Sequence, residues 1–172
     1  MIKTNYEEQG IGQLINDYLV ANPSGYVSSN QKKLFWKLFR EAYTNQEFVY
    51  KTMDIKGVEQ YLLFLYSKHN LYKTMDSKEN TLLDTLKAEK TIHTLYRGIA
   101  GEHNLGASWT YDKDRAVWFA KRLKQDNPLL TTATINAEHI DCLWNCRNEM
   151  EVFMLPTLMK IRANNIKTIT LK

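Results

Sequence analysis

Apolar residues recur every three or four positions through about the first ninety residues, which is the spacing of amphipathic helices. The first stripe consists of Ile11, Leu14, Ile15, Tyr18 and Leu19. The turn-forming segment 22–25, which reads Asn-Pro-Ser-Gly, ends this helix. The same spacing predicts three further helices, at about 30–43, 56–68 and 78–90.

The second predicted helix combines an apolar stripe with a basic surface. Its inward positions are expected to be Leu34, Phe35, Leu38, Phe39 and Ala42. Trp36 lies off this stripe, among outward lysines and an arginine. A basic face with an exposed tryptophan suits a membrane surface, a nucleic acid or a partner protein. A solvated outer face over a packed inner one is the more common arrangement.

From Thr91 onward the pattern changes to short runs rich in β-branched and aromatic residues. They predict strands at 93–99, 106–110, 129–137, 140–144, 149–155, 158–163 and 166–171. One helix interrupts them, with Asp112 as its N-cap and Asp114 in its first turn. The pair Asn164-Asn165 is expected to form a tight turn between the last two strands. The predicted fold class is therefore α+β, with N-terminal helices followed by a sheet.

Chain length and charge limit the possibilities further. A chain of 172 residues fits one ordinary domain, so we expect a single domain with a helical part at 1–90 and a β-rich part at 91–172. The formal charge of +4 comes from lysines spread along the chain, so nucleic-acid contact is not indicated. No apolar run approaches the roughly 18 residues of a membrane span. We expect a soluble protein without a signal peptide and without membrane contact.

The cysteines favour an intracellular location and argue against a metal site. Only Cys142 and Cys146 are present, and so few cysteines suit free thiols in the cytoplasm better than a disulfide framework. Together with His139 they suggest three zinc ligands. However, zinc sites favour closer Cys-x2-Cys pairs, and no fourth ligand is evident, so we predict no metal.

Three triplets in the β-rich part outline a candidate site. They are Tyr96-Arg97-Gly98, Ser108-Trp109-Thr110 and Glu149-Met150-Glu151. Side chains repeat every two residues along a strand, so the two hydroxyls of the middle triplet share one face, as do the two carboxylates of the last. If the three segments are neighbouring strands, an arginine, two hydroxyls and two carboxylates can meet in one cleft.

The chemistry of these residues suits a nucleotide substrate. The planar fork of Arg97 holds phosphate or ribose oxygens, and Gly98 lets a ligand approach the backbone. Glu149 and Glu151 repel one another unless they face water or serve a site. Such a pair can divide the work, with one carboxylate stabilising positive charge on a sugar and the other orienting a nucleophile.

With these motifs the chain resembles the mono-ADP-ribosyltransferases of the arginine, serine-threonine and Glu-x-Glu class, particularly small enzymes encoded by bacteriophages. The resemblance covers about Leu95 to Ile161 and includes the helix after the middle motif. It implies an ADP-ribosyltransferase-like split β-sheet core with one inserted helix. Many members have a small residue where this chain has Trp109, and alternation places Trp109 on the face opposite the hydroxyls, in the expected core.

The resemblance also implies a role for each residue of the site. Arg97 would anchor NAD through a phosphate and the adjoining ribose, and the Gly98 backbone would bond the nicotinamide amide. Ser108 would brace the site, with Thr110 and Tyr96 also contacting NAD. Glu151 would match the catalytic glutamate.

The remaining implications concern the acceptor. Glu149 would match the glutamate that goes with transfer to arginine side chains. The segment from Asp141 to Asn148, with Trp144 and Arg147, would be the loop that meets the target protein.

The function predicted from this resemblance is NAD-dependent transfer of ADP-ribose to a protein side chain, with arginine the expected acceptor and nicotinamide the leaving group. The likeness to phage enzymes further implies an effector that modifies a host or defence protein in the host cytoplasm. Two alternatives stay open. One is an inactive ADP-ribosyltransferase-like protein that inhibits a host complex by occupying it, and the other is hydrolysis of NAD with water as acceptor.

Overall fold

The computed structural model describes residues 6–22, 26–45, 57–100, 106–122, 126–145 and 150–172. The chain forms two compact units, Met1–Thr74 and Met75–Lys172. The last helix of the predicted N-terminal part therefore belongs to the same unit as the strands. None of the helices in these ranges is long and apolar enough to cross a membrane.

Helices make up the described part of the first unit. They are α1 (Tyr6–Ala21), α2 (Ser29–Asn45), α3 (Val58–Leu65) and α4 (Lys68–Tyr72). The first two agree with the apolar periodicity, and the predicted third helix corresponds to α3, which ends at Leu65 because Tyr66 leaves helical geometry. Helix α4 was not predicted, and the Ser67 side chain caps it by accepting the backbone N–H of Asn70.

The core of the first unit is aromatic. Phe35, Trp36 and Phe39 of α2 are fully buried, and the Phe35 and Trp36 rings meet edge to face with centroids 5.5 Å apart. The predicted inward stripe is therefore wrong at Leu34, which is 43% exposed. Trp36 is buried because the helix turns its largest apolar surface inward and the indole N–H donates to the Leu65 carbonyl at 2.8 Å. The basic surface thus contains no exposed tryptophan.

The second unit is a sheet with helices. The helices are α5 (Ser77–Ala88), α6 (Lys113–Lys121) and α7 (Pro156–Arg162), with a 3-10 turn at Ala137–His139. The strands are β1 (Ile92–Ile99), β2 (Ser108–Thr110), β3 (Leu129–Asn136), β4 (Leu143–Trp144), β5 (Glu151–Phe153) and β6 (Ala163–Thr170). They form one six-stranded antiparallel sheet in the order β4-β5-β2-β1-β3-β6. The prediction of an α+β class is confirmed.

Local capping explains where two of these helices begin. The Asp112 side chain accepts the backbone N–H of Arg115 at 2.9 Å, which confirms the predicted N-cap of α6. Helix α5 begins with a capping box, in which Asp76 caps the Glu79 N–H and the Glu79 side chain returns to the Asp76 N–H.

The end of the chain departs from the sequence prediction. Residues 158–163 were expected to form a strand, but most of them lie in α7, so two helices rather than one interrupt the strands described. Proline at the first position of a helix costs no hydrogen bond, and Pro156 begins α7 in this way. Asn164-Asn165, the predicted turn, lies inside β6, where Asn165 pairs with Thr134.

Candidate functional site

The described residues of the three motif segments lie in or directly beside neighbouring strands, which is the arrangement that the candidate site requires. Tyr96 of β1 lies opposite Thr110 of β2, and Thr110 lies opposite Glu151 of β5. Residues directly opposite in an antiparallel sheet point to the same face. Tyr96, Thr110 and Glu151 therefore form one row across three strands, which we call the polar row.

A hydrogen bond and burial restrict the polar row. The Thr110 side chain is only 8% exposed, and its hydroxyl accepts the Asp112 N–H at 3.0 Å, directly before α6. Tyr96 and Glu151 are half-buried. Ser108 is also half-buried and is on the same face of β2 as Thr110, by strand alternation. A phenol, two hydroxyls and a carboxylate are thereby brought to one face.

Arg97 is held at the start of β2 and is not a member of the polar row. Its guanidinium donates through Nη1 to the Ser108 carbonyl at 2.9 Å. A Cβ atom at Gly106 would overlap the guanidinium, so the glycine makes room for it. Gly106 also has a φ of 51°, which favours glycine. By alternation Arg97 leaves β1 on the face opposite Tyr96, so the structure does not gather all the predicted groups on one face.

Gly98 allows a close approach, and the partner is a helix. A Cβ atom there would overlap the backbone carbonyl of Ala116 in α6. The side-chain position of Gly98 is thus occupied by the α6 backbone. A glycine was expected here to admit a ligand, whereas the contact present is helix-to-strand packing.

The opposite face of β2 belongs to the core. Trp109 is 1% exposed, and it pairs with Val152, which is fully buried. The prediction that Trp109 packs inward is confirmed. The bulky residue in the middle of the motif therefore leaves the hydroxyl face of β2 unchanged.

Glu149 and residues 146–148 lie outside the described residues. The resemblance implied that the segment from Asp141 to Asn148, with Trp144 and Arg147, is a loop that meets the target protein, and the loop conformation is wrong for Trp144. Trp144 pairs with Glu151 in the sheet, is fully buried, and stacks on Phe153 with ring centroids 4.8 Å apart. Asp141 is 5% exposed and pairs with Arg162. Burial raises the pKa of Asp141, against the lowering effect of Arg162.

Tyr111 directly follows β2 and is half-buried. Burial raises the pKa of its phenol well above the ordinary value of 10, so the group stays protonated at neutral pH. The His93 ring meets it edge-on at 5.6 Å. The sequence did not single out this tyrosine, although it immediately follows Ser-Trp-Thr.

Asn145 and Glu79 support the β4–β5 hairpin. The Asn145 backbone N–H donates to Glu79 at 2.7 Å, and the Asn145 side-chain oxygen accepts the Met150 N–H at 3.2 Å. Sequence reasoning missed this pair because Glu79 lies 66 positions from Asn145.

Comparison with known proteins gives no family assignment. No protein-family model matches the chain, and no curated protein or solved structure matches it significantly. Within the part of the chain described, no group of three histidine, cysteine or acidic residues is arranged to hold a metal ion. The functional interpretation therefore depends on the motif residues and their geometry.

Proposed function

We propose that this chain is a mono-ADP-ribosyltransferase that moves ADP-ribose from NAD to a protein side chain and releases nicotinamide. The observation that carries the proposal is the polar row, in which a carboxylate, a hydroxyl and a phenol from separate motifs lie opposite one another on adjacent strands. Such a row places one negative charge beside groups able to hold a ribose.

Glu151 is the proposed catalytic residue. When the bond from ribose C1′ to nicotinamide breaks, its electrons leave with nicotinamide and positive charge develops on the ribose. A fixed carboxylate stabilises that charge most strongly where water is partly excluded, and Glu151 is half-buried. Its placement opposite Thr110 and Trp144 holds it on the strand rather than on a mobile surface.

Arg97, Gly98, Ser108, Thr110 and Tyr96 are the proposed NAD-binding residues. Arginine suits a dinucleotide phosphate because its fork donates to two oxygens at once. The bond from Arg97 to the Ser108 carbonyl fixes the guanidinium at the start of β2, while Arg97 itself leaves β1 on the face opposite the polar row. The half-buried Tyr96 ring offers a flat surface for a planar group at one end of that row.

Acceptor choice is assigned to Glu149, because in the Glu-x-Glu class the first glutamate goes with arginine acceptors. The attacking guanidinium nitrogen forms the new bond to C1′ and gives up a proton to Glu149. By the same resemblance, the acceptor is a host or defence protein met in the host cytoplasm after infection by a phage.

The test is incubation of the protein with labelled NAD and cell lysate. Glu151→Gln should reduce nicotinamide release at least about 100-fold, because it removes charge stabilisation in the transition state. NAD should still raise its melting temperature, since a ligand that binds the native state stabilises it. Glu149→Gln should lose protein labelling and retain some NAD hydrolysis. Glu138→Gln, on an exposed carboxylate, is the control.

Three results would decide against the proposal. Wild-type protein that neither labels protein nor releases nicotinamide is not this enzyme. Equal activity in wild type and Glu151→Gln would remove Glu151 from the chemistry. A biological effect that survives Glu151→Gln would identify a binding protein that acts by occupying its target.

A further inference from the structure

The outer edge of the sheet at β4 is covered by the beginning of α5. β4 is the terminal strand of the sheet, and the outward N–H groups of an edge strand recur at every second residue. Here the N–H of Leu143 donates to the Met75 sulfur at 3.1 Å, and the N–H of Asn145 donates to Glu79 Oε1 at 2.7 Å. Two side chains at the beginning of α5 thus accept hydrogen bonds from the outward N–H groups of the edge strand.

Both carboxylate oxygens of Glu79 are engaged. Oε2 accepts the Asp76 N–H at 2.8 Å and completes the capping box, while Oε1 accepts from Asn145. Glu79 is only 3% exposed. A buried carboxylate is costly unless it is hydrogen-bonded, and bonds to a charged acceptor are stronger and more directional than neutral ones. The position of Asn145 is therefore fixed relative to α5.

The Asn145 side chain connects the end of β4 to the start of β5. Its side-chain oxygen accepts the Met150 N–H at 3.2 Å, which joins the two ends of the β4–β5 connection. Met150 has a φ of 43°, a conformation that a non-glycine residue adopts only where its surroundings impose it. Glu151 follows directly and pairs with Trp144, the residue before Asn145.

We propose that Glu79 is a positioning residue for the catalytic carboxylate, acting through Asn145 and Met150. This inference rests on the proposed function, in which Glu151 stabilises charge on the ribose. Glu79 acts through these hydrogen bonds. It determines where the hairpin carrying Glu151 sits, and a misplacement of about 1 Å at a reacting group can reduce the rate by roughly 100-fold.

Glu79→Gln gives the first test. Glutamine keeps the shape but offers one acceptor oxygen, so its amide nitrogen must face one of the two N–H donors. We expect kcat for nicotinamide release to fall at least about 10-fold, with KM for NAD within about twofold of wild type. Hydrogen exchange of residues 143–151 should become faster. Asn145→Ala should act in the same direction, and Asn145→Asp, which retains the acceptor for Met150, should restore most of the rate.

Asp76→Ala is the matched control. It removes the other half of the same capping box, the bond from the Glu79 N–H, and leaves the side chain that holds Asn145. It should lower the melting temperature, as Glu79→Gln should, with kcat close to wild type. A fall in kcat that merely follows melting temperature across these variants would make Glu79 a structural residue and overturn the inference.

The outcomes separate this inference from the proposed function. A wild type without NAD cleavage overturns both. If the wild type is active and Glu79→Gln has the same kcat and the same hydrogen exchange, the positioning role is overturned and the proposed function stands. If Glu79→Gln does not fold, the Asn145 variants decide. Equal kcat in wild type, Asn145→Ala and Asn145→Asp would exclude an effect of Glu79 that acts through Asn145 and Met150.

Discussion

Both units of this protein bury aromatic rings, but among the described residues only the second unit also buries polar or charged side chains. In the described part of the first unit, the core is built around rings, with Phe35, Trp36 and Phe39 fully buried. All the buried polar or charged side chains among the described residues lie in the second unit, and they are Glu79, Thr110, Thr131 and Asp141. Each of them has a hydrogen-bonding partner within its own unit.

The difference shows how each unit obtains a defined structure. Apolar burial is strong but non-directional, so it holds helices together without fixing a particular atom. Buried hydrogen bonds contribute little net stability, yet they are costly to leave unmade and therefore fix geometry. The proposed catalytic residue is in the second unit, where such directional contacts also fix the hairpin that carries Glu151.

The largest effect should come from removing a ring in the first unit. Phe39→Ala should lower the free energy of unfolding by about 3–5 kcal/mol, because it deletes a fully buried side chain and leaves a cavity. Urea denaturation measures this. Phe64→Ala is the control, since Phe64 is 48% exposed, and it should cost much less. Equal costs would contradict an aromatic core around α2.

A smaller effect should follow from removing a buried hydroxyl in the second unit. Thr131 is fully buried, and its hydroxyl lies 2.9 Å from that of Thr168. Thr131→Val keeps the shape and removes this bond, so we expect a loss of about 1 kcal/mol in unfolding free energy. Thr132→Val, at the neighbouring half-buried position, is the control. A cost similar to that of Phe39→Ala would remove the contrast between the units.

The smallest effect should be a change in pH dependence at Asp141. Burial raises the pKa of Asp141 in the folded state above the ordinary 3.8. As pH rises through the window above 3.8, the unfolded chain releases this proton before the folded one, so stability falls. The stability of wild type relative to Asp141→Asn should therefore decrease as pH is raised from about 4 towards 7.

Thermal denaturation at several pH values, with Asp126→Asn at an exposed position as the control, tests this expectation. A relative stability that increases with pH would show that the ion pair with Arg162 outweighs the desolvation of Asp141. In that case the buried charge of the second unit would be stabilising, not merely orienting.

Local signals predicted much of the fold. Asp112 was identified as a cap because a short side-chain acceptor satisfies a helix N-terminus within three residues. Ser108 and Thr110 were assigned to one face of a strand, and Trp109 to the core, because alternation needs no knowledge of distant residues. Leu34 and Trp36 were misassigned because helical periodicity gives the width of an apolar face but not its rotation toward a core.

The errors near the C-terminus have a similar origin. Residues 158–163 are rich in apolar side chains that suit either a strand or a helix, and Pro156 together with packing decided for α7. The asparagine pair suggested a turn, but both residues lie in β6, where Asn165 pairs with Thr134 of β3. Short apolar runs do not identify their element until their neighbours in space are known.

By itself, the sequence determined the α+β class, the N-cap of α6, and the alternation that puts the two hydroxyls of the middle triplet on one face and Trp109 on the other. These features follow from periodicity and local capping, which act within a few residues. Tertiary structure alone decided that α6 packs against Gly98, that Arg97 bonds to the start of β2, and that Glu79 holds Asn145. The physical reason is that such contacts join residues that are far apart in sequence. A local pattern of residues cannot predict which donor a buried acceptor will bond.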